Sequence, residues 1–76
     1  MKNKIKEVLA KVFMVNISEI PDNISQINFE KWDSMQHLML IVELENSFDI
    51  YFEPEEIIIM TNIDAIEELV LKKIKR

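Results

Sequence analysis

Trp32-Asp33-Ser34-Met35-Gln36-His37-Leu38-Met39-Leu40-Ile41-Val42-Glu43-Leu44-Glu45 is the stretch from which the rest of the chain can be read. An irregular segment ends at Trp32 and a helical pattern begins at Ser34. Asp33 is a good N-cap, and Gln36 stands three residues on, where it can close a capping box. Ser34 is then the first helical residue. Its hydroxyl points outward at the end where backbone N–H groups and the helix dipole favour negative charge, so a phosphodiester built on that oxygen is well accommodated. At about 100° per residue, Leu40, Ile41, Leu44 and Phe48 form one apolar stripe, assigned to the core. Met35, Leu38, Met39 and Val42 form a second stripe on a different side. A helix that is apolar on two sides is buried all round or meets a partner. In so small a domain the second stripe is assigned to a partner, and Phe48 is expected to contact the first and last helices.

Working outward, Ile5, Val8, Leu9, Val12 and Phe13 repeat with helical spacing and predict a first helix over about residues 3–15. From Asn16 to Trp32 the periodicity fails. Pro21-Asp22-Asn23 is a turn signal, and Ile17, Ile20, Ile24, Ile27 and Phe29 arrive irregularly, as in a long loop pinned to the core. Loops this long inside a small domain are usually functional. The central helix is expected to run from Ser34 to about Ser47. Pro54 at a first helical position, with Glu55 and Glu56 in the first turn, opens a short third helix. Ile57-Ile58-Ile59-Met60 could also be a buried strand, but no second run exists to pair with it, so helix is preferred. Thr61 and Asp64 form a capping box for the last helix, whose Ile63, Ile66, Leu69, Val70 and Ile74 keep helical spacing. The fold class is therefore all-α: a four-helix bundle with a long first loop and a short third helix, forming one domain over residues 1–76.

Composition excludes several functions. A chain of 76 residues buries only about 60% of its unfolded surface, too little for a full core plus a deep enzymatic cleft. Without cysteine there is neither disulfide nor thiolate metal site. No signal peptide is expected before the domain, and no apolar run approaches the roughly 20 residues of a membrane span. A cytoplasmic monomer is the expectation. The net charge of −5 is segregated. Residues 1–12 hold four lysines and one glutamate, residues 72–76 three lysines and an arginine, and between them stand thirteen carboxylates and one base, Lys31. Such an anionic middle disfavours nucleic acid and suits partners that present basic patches.

Trp32-Asp33-Ser34-Met35 resembles the Asp-Ser-Leu signature at the prosthetic-group attachment site of the acyl carrier protein family, with methionine in the leucine position. The likeness extends along nearly the whole chain. Glu43-Leu44-Glu45-Asn46-Ser47-Phe48-Asp49-Ile50 is similar to the acidic, phenylalanine-ended close of the family's second helix. Pro54-Glu55-Glu56-Ile57 looks like its short third helix, and Thr61-Asn62-Ile63-Asp64-Ala65-Ile66 like the start of its fourth. The resemblance implies a stand-alone carrier, not an enzyme. A separate phosphopantetheinyl transferase attaches 4'-phosphopantetheine to Ser34, and acyl groups ride on the arm as thioesters. An acyl-loading ligase or transferase and downstream acyl-processing enzymes are the further partners implied. Asp33, Met35, Leu38, Met39, Val42, Glu43, Glu45, Glu55 and Glu56 then form the surface read by partners. Met39, Ile58 and Ile59 stand where the best-known fatty-acid carriers have charged residues, which points to a dedicated pathway.

Each candidate also has a plainer role. A serine at a helix start is common in any protein, and Asp33 is adequately explained as a cap. Trp32 is expected to cover the loop–helix junction. His37, three residues after Ser34, raises a Ser–His dyad and hence a small hydrolase. A dyad also needs an orienting group and an oxyanion hole, which the sequence does not supply. His37 is instead placed half-buried at the seam of the second and third helices. The family commonly has a small residue there, where acyl chains enter, so His37 is expected to constrict or polarise the mouth of any pocket. Glu53, Glu55 and Glu56 lack the spacing and glycine of a calcium loop, and no metal is expected. The alternative to a carrier is an unmodified helical adaptor that binds a protein through the same acidic, methionine-bearing face.

Overall fold

Apolar side chains at helical spacing wind Lys2–Phe13 into α1 and turn Ile5, Val8, Leu9 and Phe13 inward. The computed structural model describes residues 1–75, Lys75 through its backbone alone. Arg76 and the Lys75 side chain, both in the basic C-terminal cluster, lie outside the described residues. α2 spans Ser34–Phe48, α3 Pro54–Ile59 and α4 Ile63–Lys75. α1 packs against both α2 and α4. Ile5, Leu9, Leu40, Leu44, Met60, Ile63, Ile66 and Val70 are wholly buried among them. Among the described residues there is no strand, so the class is all-α with a short third helix. The isoleucine run after Pro54 is helical, as its lack of a pairing partner requires.

α1 stops two residues short of the sequence expectation. Met14 takes the left-handed conformation (φ 59°, ψ 47°) and its N–H, with that of Val15, closes on the Ala10 carbonyl. Asp49 ends α2 the same way at φ 55°. Glycine normally fills such a cap, and the chain has none. An L-residue there costs about 1–2 kcal/mol, and a glycine gives back up to about 1 kcal/mol through a looser unfolded chain. Met14 is highly exposed, so its side chain contributes little packing. Met14→Gly is therefore expected to raise the unfolding free energy by up to about 1 kcal/mol, read as a higher urea midpoint. A lowered midpoint would show that the cap is not strained.

The long loop is better ordered than its irregular sequence promised. Ile17–Glu19 forms a single 3-10 turn, with the Asn16 N–H held by the Glu19 carboxylate at 3.1 Å. Farther on, Asn28 Oδ1 accepts the Ser25 N–H at 2.9 Å and Asn28 Nδ2 donates to the Asn23 carbonyl at 3.0 Å. Side-chain turns of this kind replace glycine. The loop is tied to the α3–α4 connection by the Gln26 N–H on the Thr61 carbonyl and the Ile63 N–H on the Ile24 carbonyl. Ile20, Ile24 and Trp32 pin it to the core, and Phe29 is half-buried. Ile17 and Ile27 do not share that role, since Ile27 is 98% exposed.

Two further expectations are corrected. The cap of α4 is Asn62, whose Oδ1 accepts the Ala65 N–H at 2.8 Å, and not Thr61. Phe48 is only half-buried against the core and lines an open hollow of about 370 Å³ with Asp49, Ile50, Lys73 and Ile74. The phenylalanine buried near this end of α2 is Phe52, in the α2–α3 connection. The reversal at Asp49 carries the chain back over the core, and the Glu45 carboxylate holds the Phe52 N–H at 3.0 Å.

Candidate functional site

The start of α2 is built by its own first residues. Asp33 Oδ1 accepts the Gln36 N–H at 2.9 Å, and the Asp33 carbonyl accepts the His37 N–H at 2.8 Å. The Asp33 N–H itself donates to the Lys31 carbonyl at 3.1 Å. The cap is thus made, and a local turn takes the place of the return bond expected from Gln36. Ser34 is exposed, and its hydroxyl has no hydrogen-bond partner among the described residues. Beside it an open hollow of about 340 Å³ is lined by Val12, Phe13, Met14, Lys31, Asp33 and Gln36.

Past Ser34 the two faces of α2 separate cleanly. His37, Leu40, Ile41 and Leu44 are buried, while Met35 is 72%, Leu38 61%, Met39 58% and Val42 56% exposed. Spacings of three and four residues put the exposed four on one side of the helix. On α3, Ile58 and Ile59 are exposed as well. Surface substitutions usually fall within about 0.5 kcal/mol, so Met39→Glu is expected to leave the melting temperature nearly unchanged. A large fall would mean that Met39 is covered in solution.

Trp32 and His37 do more than fill space. Trp32 is wholly buried, its ring 5.8 Å from that of Phe13 and 6.0 Å from that of His37. Indole Nε1–H is a donor only, and it donates to His37 Nδ1 at 3.0 Å. Nδ1 therefore carries the lone pair, and Nε2–H donates to the Ile57 carbonyl at 2.8 Å. These two bonds fix the tautomer. His37 lies at the α2–α3 seam, buried rather than half-buried at 8% exposure. With both ring nitrogens engaged, it has none to offer Ser34 as a base.

The acidic residues divide by what already holds them. Glu43 accepts Lys11 Nζ at 2.9 Å, and Glu45 is occupied by the Phe52 N–H. Glu56 takes the Glu53 N–H at 2.8 Å and Lys73 Nζ at 2.9 Å. Those two donors hold its carboxyl below the ordinary carboxylate range. Glu55 is exposed at the first turn of α3. Lys2 reaches Asp64 at 2.8 Å, and Lys6 pairs with Asp22. The Asp64 bond raises the Lys2 ammonium above its usual value, and the Lys6 bond lowers the Asp22 carboxyl. The basic N-terminal segment therefore folds onto the acidic middle of the chain. These pairings were invisible in the sequence, because partners stand as far as 62 residues apart.

Among the described residues no three His, Asp or Glu side chains come together as metal ligands, and no helix is long and apolar enough to cross a membrane. No protein-family model matches the chain, and no curated protein is significantly similar to it.

Proposed function

We propose that this protein is an acyl carrier that holds its cargo on a phosphopantetheine arm attached to Ser34. The observation that carries the reading is an exposed serine with an unengaged hydroxyl on the first residue of α2, capped by Asp33. Covalent attachment needs an accessible oxygen, and Ser34 fits that requirement. The positive end of the α2 dipole favours the phosphodiester charge. When bound, the arm supplies a terminal thiol that carries acyl groups as thioesters.

The chain's own residues fix the attachment point and present the surface around it. Asp33 rigidifies the helix start, while Met35, Leu38, Met39 and Val42 offer an apolar face to the transferase and to acyl-processing partners. Asp33, Glu43, Glu45, Glu55 and Glu56 give that region negative charge, which steers basic partners at low salt. Since Glu45 and Glu56 also hold the fold, Glu55 is the cleanest of these to reverse. Exposed Met39, Ile58 and Ile59, apolar where the best-known fatty-acid carriers have charged residues, support a dedicated pathway.

Treatment with coenzyme A and a broad-specificity phosphopantetheinyl transferase is expected to add the mass of one phosphopantetheine. Ser34→Ala is expected to add none while melting as the wild type does. An unchanged wild-type mass would leave the exposed apolar face to an unmodified adaptor.

A further inference from the structure

His37 stands on α2 three residues after Ser34 and bonds across to α3. Its Nε2–H meets the Ile57 carbonyl at 2.8 Å, while Nδ1 is held by the Trp32 indole at 3.0 Å. Both distances are those of direct hydrogen bonds, so no methylene chain passes between the ring and the α3 backbone there. The side chains that such a chain would have to displace are already packed. Leu40 and Leu44 share the His37 face of α2, Phe52 and Met60 flank α3, and all four are at most 1% exposed. Opening the seam would strand the His37 Nε2–H and the Ile57 carbonyl, and unsatisfied groups of that kind are strongly disfavoured. Outside the bundle there is room, in the open hollow lined by Val12, Phe13, Met14, Lys31, Asp33 and Gln36.

We infer that His37 latches the α2–α3 seam shut, so that the group carried by the Ser34 arm stays outside the bundle and is short or polar. A long alkyl chain left outside would expose apolar surface to water, the condition that interior sequestration relieves. The inference rests on the carrier reading above and narrows its cargo to small, hydroxylated or otherwise polar acyl groups. His37 is a positioning residue in this scheme. It touches neither the arm nor the reacting atoms.

The test loads the full chain in two forms, with butanoyl- and dodecanoyl-phosphopantetheine transferred from their coenzyme A thioesters, and verifies each by intact mass. Methyl resonances of Leu40, Leu44 and Met60 are expected to coincide between the two forms, and the melting temperatures to agree. Core methyls that move with chain length, or a melting temperature that rises with it, would overturn the inference while leaving the carrier reading standing. Failure to gain either arm would overturn both. His37→Ala is expected to make the core resonances depend on chain length. His37→Gln, which keeps one acceptor and one donor, should return them to the wild-type pattern. Core resonances indifferent to chain length in a folded His37→Ala protein would remove His37 as the latch. If that variant does not fold, the wild-type comparison decides alone.

Discussion

Phe52→Ala is expected to cost about 3–5 kcal/mol, the range for truncating a buried aromatic side chain, and Phe48→Ala markedly less. Phe52 is 1% exposed and lies under the Lys73 ammonium, 5.5 Å from its ring centroid. Truncation removes its packing and that contact, and leaves a cavity where α2 turns toward α3. Domains of this kind possess only about 5–15 kcal/mol in all, so the variant should be partly unfolded near body temperature. Phe48, at the α2 terminus, has solvent on one side. Equilibrium urea unfolding of both variants decides the matter. Equal losses would mean that the reversal at Asp49 does not hold in solution, and that both rings share the core.

Trp32→Ala should be comparably damaging, at about 3–5 kcal/mol, and Trp32→Phe separates its two contributions. Phenylalanine keeps much of the ring against Phe13 but removes the Nε1–H that satisfies His37 Nδ1. A buried acceptor left without a donor costs about 1–3 kcal/mol. The Phe variant is therefore expected to fall between wild type and Ala, and His37 should lose its fixed tautomer. Nitrogen-15 spectra of the imidazole report this directly. A Phe variant as stable as wild type, with an unchanged ring spectrum, would show that the indole bond contributes nothing.

Much of the fold was legible because helix starts are local. Asp33 caps the Gln36 N–H three residues on, as its identity suggests, although the return bond expected from the Gln36 side chain is replaced by a local turn. Pro54 with the following glutamates marked α3 for the same reason. Ends were harder. Nothing in Met14-Val15 breaks the apolar pattern of α1, and in a chain lacking glycine the left-handed residue is unmarked. At the start of α4, Thr61 and Asn62 are both good caps. The choice falls to Asn62 where the loop intervenes, with Gln26 on the Thr61 carbonyl and Ile24 receiving the Ile63 N–H. Phe48 and Phe52 could not be ranked without knowing where α2 reverses. The exposed stripe Met35–Leu38–Met39–Val42 was readable from periodicity alone. The bonds of Trp32 and His37 were not, since one is made five residues away and the other depends on where α3 docks.

The absence of glycine has a consequence for the denatured chain. Every residue carries a β-carbon, so each has fewer backbone conformations to explore when unfolded than a glycine would. Folding accordingly surrenders less disorder at each position, and a small core can prevail with fewer buried groups. The left-handed residues at Met14 and Asp49 are the native-state counterpart of that restriction, two places where the same β-carbon is an obstacle. The stability of this domain is thus written partly in conformations that its unfolded form cannot adopt.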